Sequence, residues 1–228
     1  VSRGLGLELA RKFITAGDTV LGISQNKKNW SSVRELIPSK SLELIHGDVS
    51  HESDVKRFLQ KVQKKAGRID ILINNAGYCG PLRKLEQVPE KEFEKHLAVN
   101  LTAVFLMCKY AIPVMRKQKQ GLIINISSMA GLRAVPNLAA YSASKFGVLA
   151  LSQCIAKENA ETRLKCITVC PGGMNTQMRK KLFGAENAAK QQSPEFVADV
   201  ILQVINGKID VQSGGDIVIR YGQITAIH

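Results

Sequence analysis

A chain of 228 residues with 45% hydrophobic and 22% charged side chains has enough apolar surface to bury one sizeable core, which excludes a disordered or fibrous protein. Its net charge of +13, from 32 Lys and Arg against 19 Asp and Glu, admits nucleic acid, an anionic cofactor or an acidic protein as partner. The basic residues are scattered through helical segments (Lys27 and Lys28, Lys61 to Lys65, Arg116 to Lys119, Arg179 to Lys181) with no stacking aromatics between them, which argues against nucleic acid.

The longest apolar stretches, such as Ala103 to Met107 and Gly121 to Ile126, fall far short of the roughly 18 residues of a membrane-spanning helix, and no signal peptide is legible. Cys79, Cys108, Cys154, Cys166 and Cys170 are an odd number without metal-ligand spacing, so they read as small hydrophobes in a reducing compartment and no metal site is expected.

The chain opens on Val1, Ser2, Arg3, Gly4, Leu5, Gly6 and runs straight into an amphipathic helix, Leu7 to Ala16, ended by Gly17. A glycine-rich loop feeding a helix N-terminus offers backbone N–H groups and a positive dipole end to a phosphate. In dinucleotide-binding folds a strand precedes this loop and lies in the middle of the sheet, so the pattern predicts a truncation that removes the first strand. Any targeting peptide would lie upstream too, which leaves organellar targeting open beside the expected cytoplasmic location.

Short β-branched runs then alternate with helical periods: strand Thr19 to Ser24, helix near Trp30 to Ile37, strand Leu42 to His46, helix Glu52 to Ala66 and strand Ile69 to Asn74. A long helix from about Pro89 to Lys117 follows, then strand Leu122 to Ser127, helix Tyr141 to about Glu161, strand Cys166 to Val169, helix Pro194 to Ile205 and strand Asp216 to Arg220. Apolar strands between helices predict a single α/β domain, a doubly wound parallel sheet in a three-layer sandwich, with functional groups at the C-terminal ends of the strands.

Ser24, with Gln25, stands where an acidic side chain would hold the adenosine ribose of NAD. The missing acid, together with Arg3 in the glycine loop and Lys27 and Lys28 nearby, suits NADP; the plainer alternative for Arg3 is a surface arginine. Asp48 and Val49 end the next strand, and Asn74, Asn75, Ala76 and Gly77 the one after. These fit an adenine contact and a cofactor-side turn, or equally a helix cap and an ordinary turn.

Strand Leu122 to Ser127 delivers Ser128 to the crevice, and Tyr141 returns to it from the start of a helix. Tyr141 and Lys145, four residues apart, share one helix face, and an adjacent ammonium favours the phenolate and lowers the phenol's pKa toward the range useful for proton transfer. Pro171, Gly172 and Thr176 close the crevice. A flexible stretch follows with Met174, Met178, Leu182 and Phe183, either a mobile lid or core packing.

Ser2-Arg3-Gly4-Leu5-Gly6, Asp48-Val49, Asn74-Asn75-Ala76-Gly77, Asn100, Ser128, Tyr141 with Lys145, and Pro171-Gly172 with Thr176 together resemble the ordered motifs of the short-chain dehydrogenases/reductases. The resemblance spans the full length and is nearest to the 3-oxoacyl-(acyl-carrier-protein) reductase and carbonyl reductase types, although the ending Ser213 to Ile219 departs from the acyl reductase pattern. It implies a Rossmann-type fold and reversible, NADPH-dependent reduction of a ketone or aldehyde, with NADP(H) preferred over NAD(H).

Tyr141 would then be general acid and base, Lys145 its tuner and a ribose contact, Ser128 a donor to the same oxygen, and Asn100 the anchor of a proton-relaying water. Ser2, Arg3, Gly4, Leu5, Gly6, Ser24, Gln25, Asp48, Val49, Asn75, Ala76, Gly77, Pro171, Gly172 and Thr176, with Tyr141 and Lys145, would line the cofactor. Ser128, Met129, Leu132, Tyr141, Met174 and Met178 would line the substrate pocket, with Tyr78 a weaker candidate.

The implied substrate is a small lipophilic carbonyl or a carrier-bound 3-oxoacyl chain. Arg116 to Lys119 either docks an acidic acyl-carrier protein or is a solvated face. A homotetramer or dimer is implied, built on the long helix and the Tyr141 helix, with Phe105, Leu149 and Ile155 facing outward; no membrane is implied. The alternative is a catalytically silent dinucleotide-binding scaffold, against which the intact Asn100, Ser128, Tyr141 and Lys145 set argues.

Overall fold

The alternation of apolar strands and amphipathic helices becomes, in the computed structural model describing residues 1–228, a mostly parallel sheet with helices on both faces. In order the elements are α1 (Gly4–Thr15), β1 (Val20–Ser24), α2 (Trp30–Leu36), β2 (Leu42–His46), α3 (Glu52–Ala66), β3 (Ile71–Asn74), α4 (Glu90–Leu97) and α5 (Ala103–Lys117). They continue with β4 (Gln120–Ile126), α6 (Ala139–Glu158), β5 (Arg163–Pro171), α7 (Gln177–Phe183), α8 (Ala185–Ala189), α9 (Pro194–Ile205), β6 (Asp216–Arg220) and β7 (Gln223–Ile227).

β1 pairs with β2, and β3, β4, β5 and β6 form a second parallel ladder closed by antiparallel β7. No ladder joins β1 to β3.

Successive residues of a strand point to opposite faces, so neighbours such as Ile123 and Ile124 enter different cores. Ile123 meets α3, α5 and α6 through Val55, Phe58, Met107, Ala111 and Val148. Ile124, Ile167 and Ile217 meet α1 and α9 through Leu5, Leu9, Val197 and Ile201. These are the two outer layers of the expected sandwich. The segment Glu90–Lys117 is long and apolar enough by composition to cross a membrane, yet much of α5 is packed into the first of these cores.

Four expectations change. The long helix is interrupted at Ala98–Thr102 by one π turn, which encloses Asn100. The stretch after Thr176 is not irregular: Thr176 Oγ1 accepts from Arg179 N at 3.3 Å and starts α7, and α8 follows. β7 turns back along β6 through Tyr221, at φ 52°, and Gly222, at φ 70°. Finally, Ile155 is buried in the core, whereas Phe105 and Phe146 are the exposed aromatics of α5 and α6. α6 is flanked on several sides, and its periodicity does not single out an outward face. Among the cysteines Cys108, Cys166 and Cys170 are buried, but Cys154 is exposed.

Candidate active site

Parallel β3, β4 and β5 end on one edge of the sheet, and the loops leaving them supply the expected side chains. The N-terminus of α1 lies beside them. It has no side-chain cap and no acidic residue in its first turn, so its N–H groups and dipole stand uncompensated toward an anion. Gly4 takes φ +51°, and a Cβ on Gly6 would lie 2.7 Å from Asn75 Nδ2. A Cβ on Gly4 would lie 3.5 Å from Thr176 Cγ2, so the β5 loop reaches the same turn. Glycine is therefore needed where backbone must approach closely, which fits a dinucleotide pyrophosphate.

Ser24 Oγ donates to Ser2 Oγ at 3.3 Å, tying the end of β1 to the glycine loop. Arg3 is exposed and its side chain forms no ion pair or hydrogen bond within the chain, so its guanidinium is free for a phosphate. Asp48 accepts from Gln25 Nε2 at 2.8 Å and from Ser50 N and Oγ at 2.9 and 2.7 Å. Its carboxylate thus organises the turn after β2, the plainer of its two readings, while still standing beside Gln25.

Several of the expected cofactor residues have no side chain free to reach a cofactor. Leu5 is buried in the α1–α9 core, Val49 packs on the other core, and Gly172 N is committed to Ile219 O at 2.7 Å. Asn74 is a strand residue rather than part of a turn. It donates to Asn125 Oδ1 at 2.8 Å, and Asn125 donates to Ser152 Oγ at 2.8 Å, a satisfied polar ladder inside the core.

α6 brings Tyr141 and Lys145 together. Lys145 is 4% exposed, its Nζ donates to Ile126 O at 2.8 Å, and it stands 5.9 Å from the centre of the Tyr141 ring. Ser128 Oγ accepts from Ala130 N at 3.1 Å, and its hydroxyl acts on the Tyr141 phenol, favouring the ionised form. Two hydroxyls and an ammonium therefore converge at the end of β4.

The expected lowering of the phenol by the ammonium is not what this geometry produces. Burial of the Tyr141 hydroxyl end pushes it up to about 12, against an opposing influence of the Ser128 hydroxyl, and burial pushes Lys145 down to about 8. Desolvation outweighs the mutual influence of the pair because the Lys145 ammonium is directed to a backbone carbonyl.

The position of α6 is set by contacts that spacing alone does not reveal. Ser127 Oγ donates to Lys145 O at 2.9 Å, and Ser144 Oγ donates to Tyr141 O at 2.7 Å. Asn100 Nδ2 donates to Ser144 Oγ at 3.0 Å and to Tyr78 O at 2.8 Å, while Asn100 Oδ1 accepts from Tyr78 N at 2.7 Å. The Asn100 side chain is thus a brace between α6 and the loop leaving β3. The signal for Ser144 lay in the sequence, one residue before Lys145. His96 has a comparable signal: it precedes Asn100 by four residues on the same helix.

Gly131 passes so close to α6 that a Cβ would lie 2.5 Å from Ser127 Oγ and 2.7 Å from Lys145 O. Gly131→Ala is expected to cost about 1–3 kcal/mol through overpacking, measured by urea unfolding; a change below about 0.5 kcal/mol, the size of an ordinary surface substitution, would show that α6 is free to shift.

Met129 and Leu132 are half-buried beside Ser128, and Met178 is half-buried on α7. Met174 packs onto the α1–α9 core, so packing is its role rather than lining a lid. Arg116 to Lys119 lie just before β4, at the sheet edge opposite the crevice, and Arg116 Nε donates to Asn159 Oδ1 at 2.7 Å. That placement takes the cluster away from any substrate entering beside Tyr141.

The arrangement can hydrogen-bond a carbonyl oxygen, protonate it and stabilise charge on it. Residues 1–187 match the family described as short chain dehydrogenase. The chain is 30% identical over 220 residues to an NADPH-dependent pterin aldehyde reductase of Arabidopsis thaliana, covering 96% of this chain and 90% of that protein. It is 33% identical over 210 residues to a 3-oxoacyl-(acyl-carrier-protein) reductase of Thermotoga maritima, covering 87% and 85% respectively. Among solved structures, levodione reductase superposes with a TM-score of 0.89 at 25% identity, covering 97% of this chain and 94% of that one.

Proposed function

The chain belongs to the short-chain dehydrogenase family, an enzyme family of carbonyl and alcohol oxidoreduction with a nicotinamide cofactor, and on that premise we propose that it reduces a ketone or aldehyde with NADPH. The observation that carries this reading is the meeting of the Ser128 hydroxyl, the Tyr141 phenol and the buried Lys145 ammonium at the end of β4.

A phenol pushed up to about 12 is fully protonated at neutral pH, so Tyr141 meets the carbonyl as a proton donor. Ser128 donates to the same oxygen, and a preplaced donor of this kind typically contributes on the order of 100- to 1000-fold in rate. Lys145 supplies positive charge next to the developing oxyanion. NADPH bound there would supply the hydride. The backbone of Gly4 to Gly6 would hold its pyrophosphate, Arg3 and Ser24 its ribose phosphate, and Asn75, Gly77, Lys145 and Thr176 its nicotinamide half.

The similarity to an NADPH-dependent pterin aldehyde reductase and the absence of an acid at Ser24 support NADPH over NADH. Ser24→Asp is expected to weaken NADPH binding at least about tenfold by like-charge repulsion and to strengthen NADH binding. Parallel fluorescence titrations measure both; an unchanged preference would remove Ser24 from cofactor selection. A lipophilic carbonyl substrate is favoured by Met129 and Leu132 just after Ser128 and by Met178 on α7. A carrier-bound acyl chain would have to dock at the crevice, where Arg133 and Arg179 follow β4 and β5, and not at Arg116 to Lys119. A homodimer or homotetramer would use the exposed Phe105 and Phe146.

The direct test follows NADPH absorbance at 340 nm with a panel of aliphatic, aromatic and heteroaromatic ketones and aldehydes. Oxidation of NADPH matched by alcohol formation is expected. Tight NADPH binding without turnover of any carbonyl would favour the scaffold alternative.

A further inference from the structure

We propose that His96 is a positioning residue for this reaction, holding the wall of the crevice beside Tyr141 by clamping the loop that leaves β3 onto the last turn of α4. The proposal rests on the catalytic reading of Tyr141 given above. His96 is 3% exposed, and Asn100, one helical turn later, is fully buried.

Both ring nitrogens of His96 are committed to backbone. Gly80 N donates to Nε2 at 3.0 Å, and Nδ1 lies 2.7 Å from Glu92 O. A nitrogen that accepts from Gly80 N carries no proton, so the proton is on Nδ1 and is donated to Glu92 O. The ring has no free nitrogen for the reaction, which makes it a clamp and not an acid or base.

The imidazole stands between two phenol rings. Its centroid is 5.0 Å from that of Tyr78 at an interplanar angle of 56°, and 6.4 Å from that of Tyr141 at 73°, edge to face. It therefore lies edge to face beside the ring of the proposed proton donor.

The clamped loop is gripped at each end. Tyr78 has both backbone groups on Asn100, and its hydroxyl donates to Glu92 Oε1 at 2.8 Å. Gly80 is held by His96, and any side chain there would collide with the Glu92 carboxylate. Between them sits Cys79, whose thiol burial pushes up to about 11. Just before them, a Cβ on Gly77 would lie 3.9 Å from Lys145 Nζ. Releasing Gly80 therefore loosens the segment that borders both proposed proton-handling groups, and a misplacement of about 1 Å can cost 100-fold in rate.

The test compares His96→Leu, His96→Gln and Tyr141→Phe in the full chain. His96→Leu removes the acceptor for Gly80 and is expected to lower kcat by about 10- to 100-fold, with KM and NADPH affinity within a few-fold of the parent. His96→Gln places an oxygen where Nε2 stood and should recover kcat to within a few-fold of the parent. His96→Asn, polar but too short for Gly80, should resemble the Leu variant and replaces it if Leu prevents folding. A kcat for His96→Leu or His96→Asn equal to the parent, or an equal loss in His96→Gln, overturns the proposal. Unaffected His96 variants beside an inactive Tyr141→Phe would sink the clamp alone; a fully active Tyr141→Phe would sink the catalytic reading, and the clamp with it.

Discussion

Tyr141→Phe should reduce kcat by about three orders of magnitude while leaving NADPH affinity within a factor of two. The substitution removes one oxygen and little else: the ring keeps its edge contact with His96, and Lys145 keeps its bond to Ile126 O at 2.8 Å. What disappears is a protonated phenol beside the Ser128 hydroxyl, held at about 12 by burial. Ser128 remains to hydrogen-bond the carbonyl, so residual turnover should exceed the uncatalysed rate. Steady-state kinetics with a fluorescence titration separate the two effects. A variant that keeps more than a tenth of parental kcat would transfer the proton-donor role to another group.

Lys145→Met should abolish most turnover and at the same time raise the melting temperature. Lys145 is 4% exposed, and its recorded polar contact is one backbone carbonyl. Burial lowers its pKa from 10.5 to about 8, which corresponds to a destabilisation on the order of 3 kcal/mol while the group is charged in both states. Methionine fills similar space without a charge, and the gain, reduced by an unpaired Ile126 O, should still appear as a few degrees in melting temperature.

The difference should depend on pH in a defined direction. Below about pH 8 the folded protein bears the full cost of the buried ammonium. Between about 8 and 10.5 the folded lysine gives up a proton that the unfolded one keeps, so the parent gains stability and the gap to Lys145→Met narrows. Above 10 Tyr141 acts oppositely: the folded phenol, at about 12, keeps a proton that the unfolded one loses, and stability falls again. Thermal melts at pH 7 and 9.5 test this; a Met variant less stable than the parent at pH 7 would contradict it.

Most of the sheet and the centre of the site were legible because they follow from local geometry. A tyrosine and a lysine four apart on a helix share a face, and Ser128 at a strand's end must reach the crevice edge. What was not legible depends on contacts between distant segments. The direction of the Tyr141 shift follows from how deeply its hydroxyl is enclosed, and no spacing encodes that. The core location of Ile155 depends on what flanks α6. α7 and α8 are short helices in a polar stretch, where periodicity is weak. β7 was hidden because its turn places Tyr221 at φ 52° ahead of Gly222, without the Asn-Gly or Asp-Gly pair that usually announces a hairpin. His96 and Asn100 are four residues apart and were readable as neighbours, but the π turn that re-aims them was not.

That π turn sets a phase between two halves of one rod. The 28 residues of Glu90–Lys117 continue through that turn as one rod, yet α4 directs its polar side chains at the loop after β3 while α5 directs apolar ones into the sheet. A π turn is equivalent to one residue inserted into an α-helix. Removing a single residue from Ala98–Thr102 would restore a regular helix and rotate everything before it by about 100° relative to α5. The core would be filled as before, and the helix would score no worse for propensity or hydrophobicity. His96, however, would swing away from Gly80. This stretch should therefore tolerate exchange of side chains far better than any change in its length.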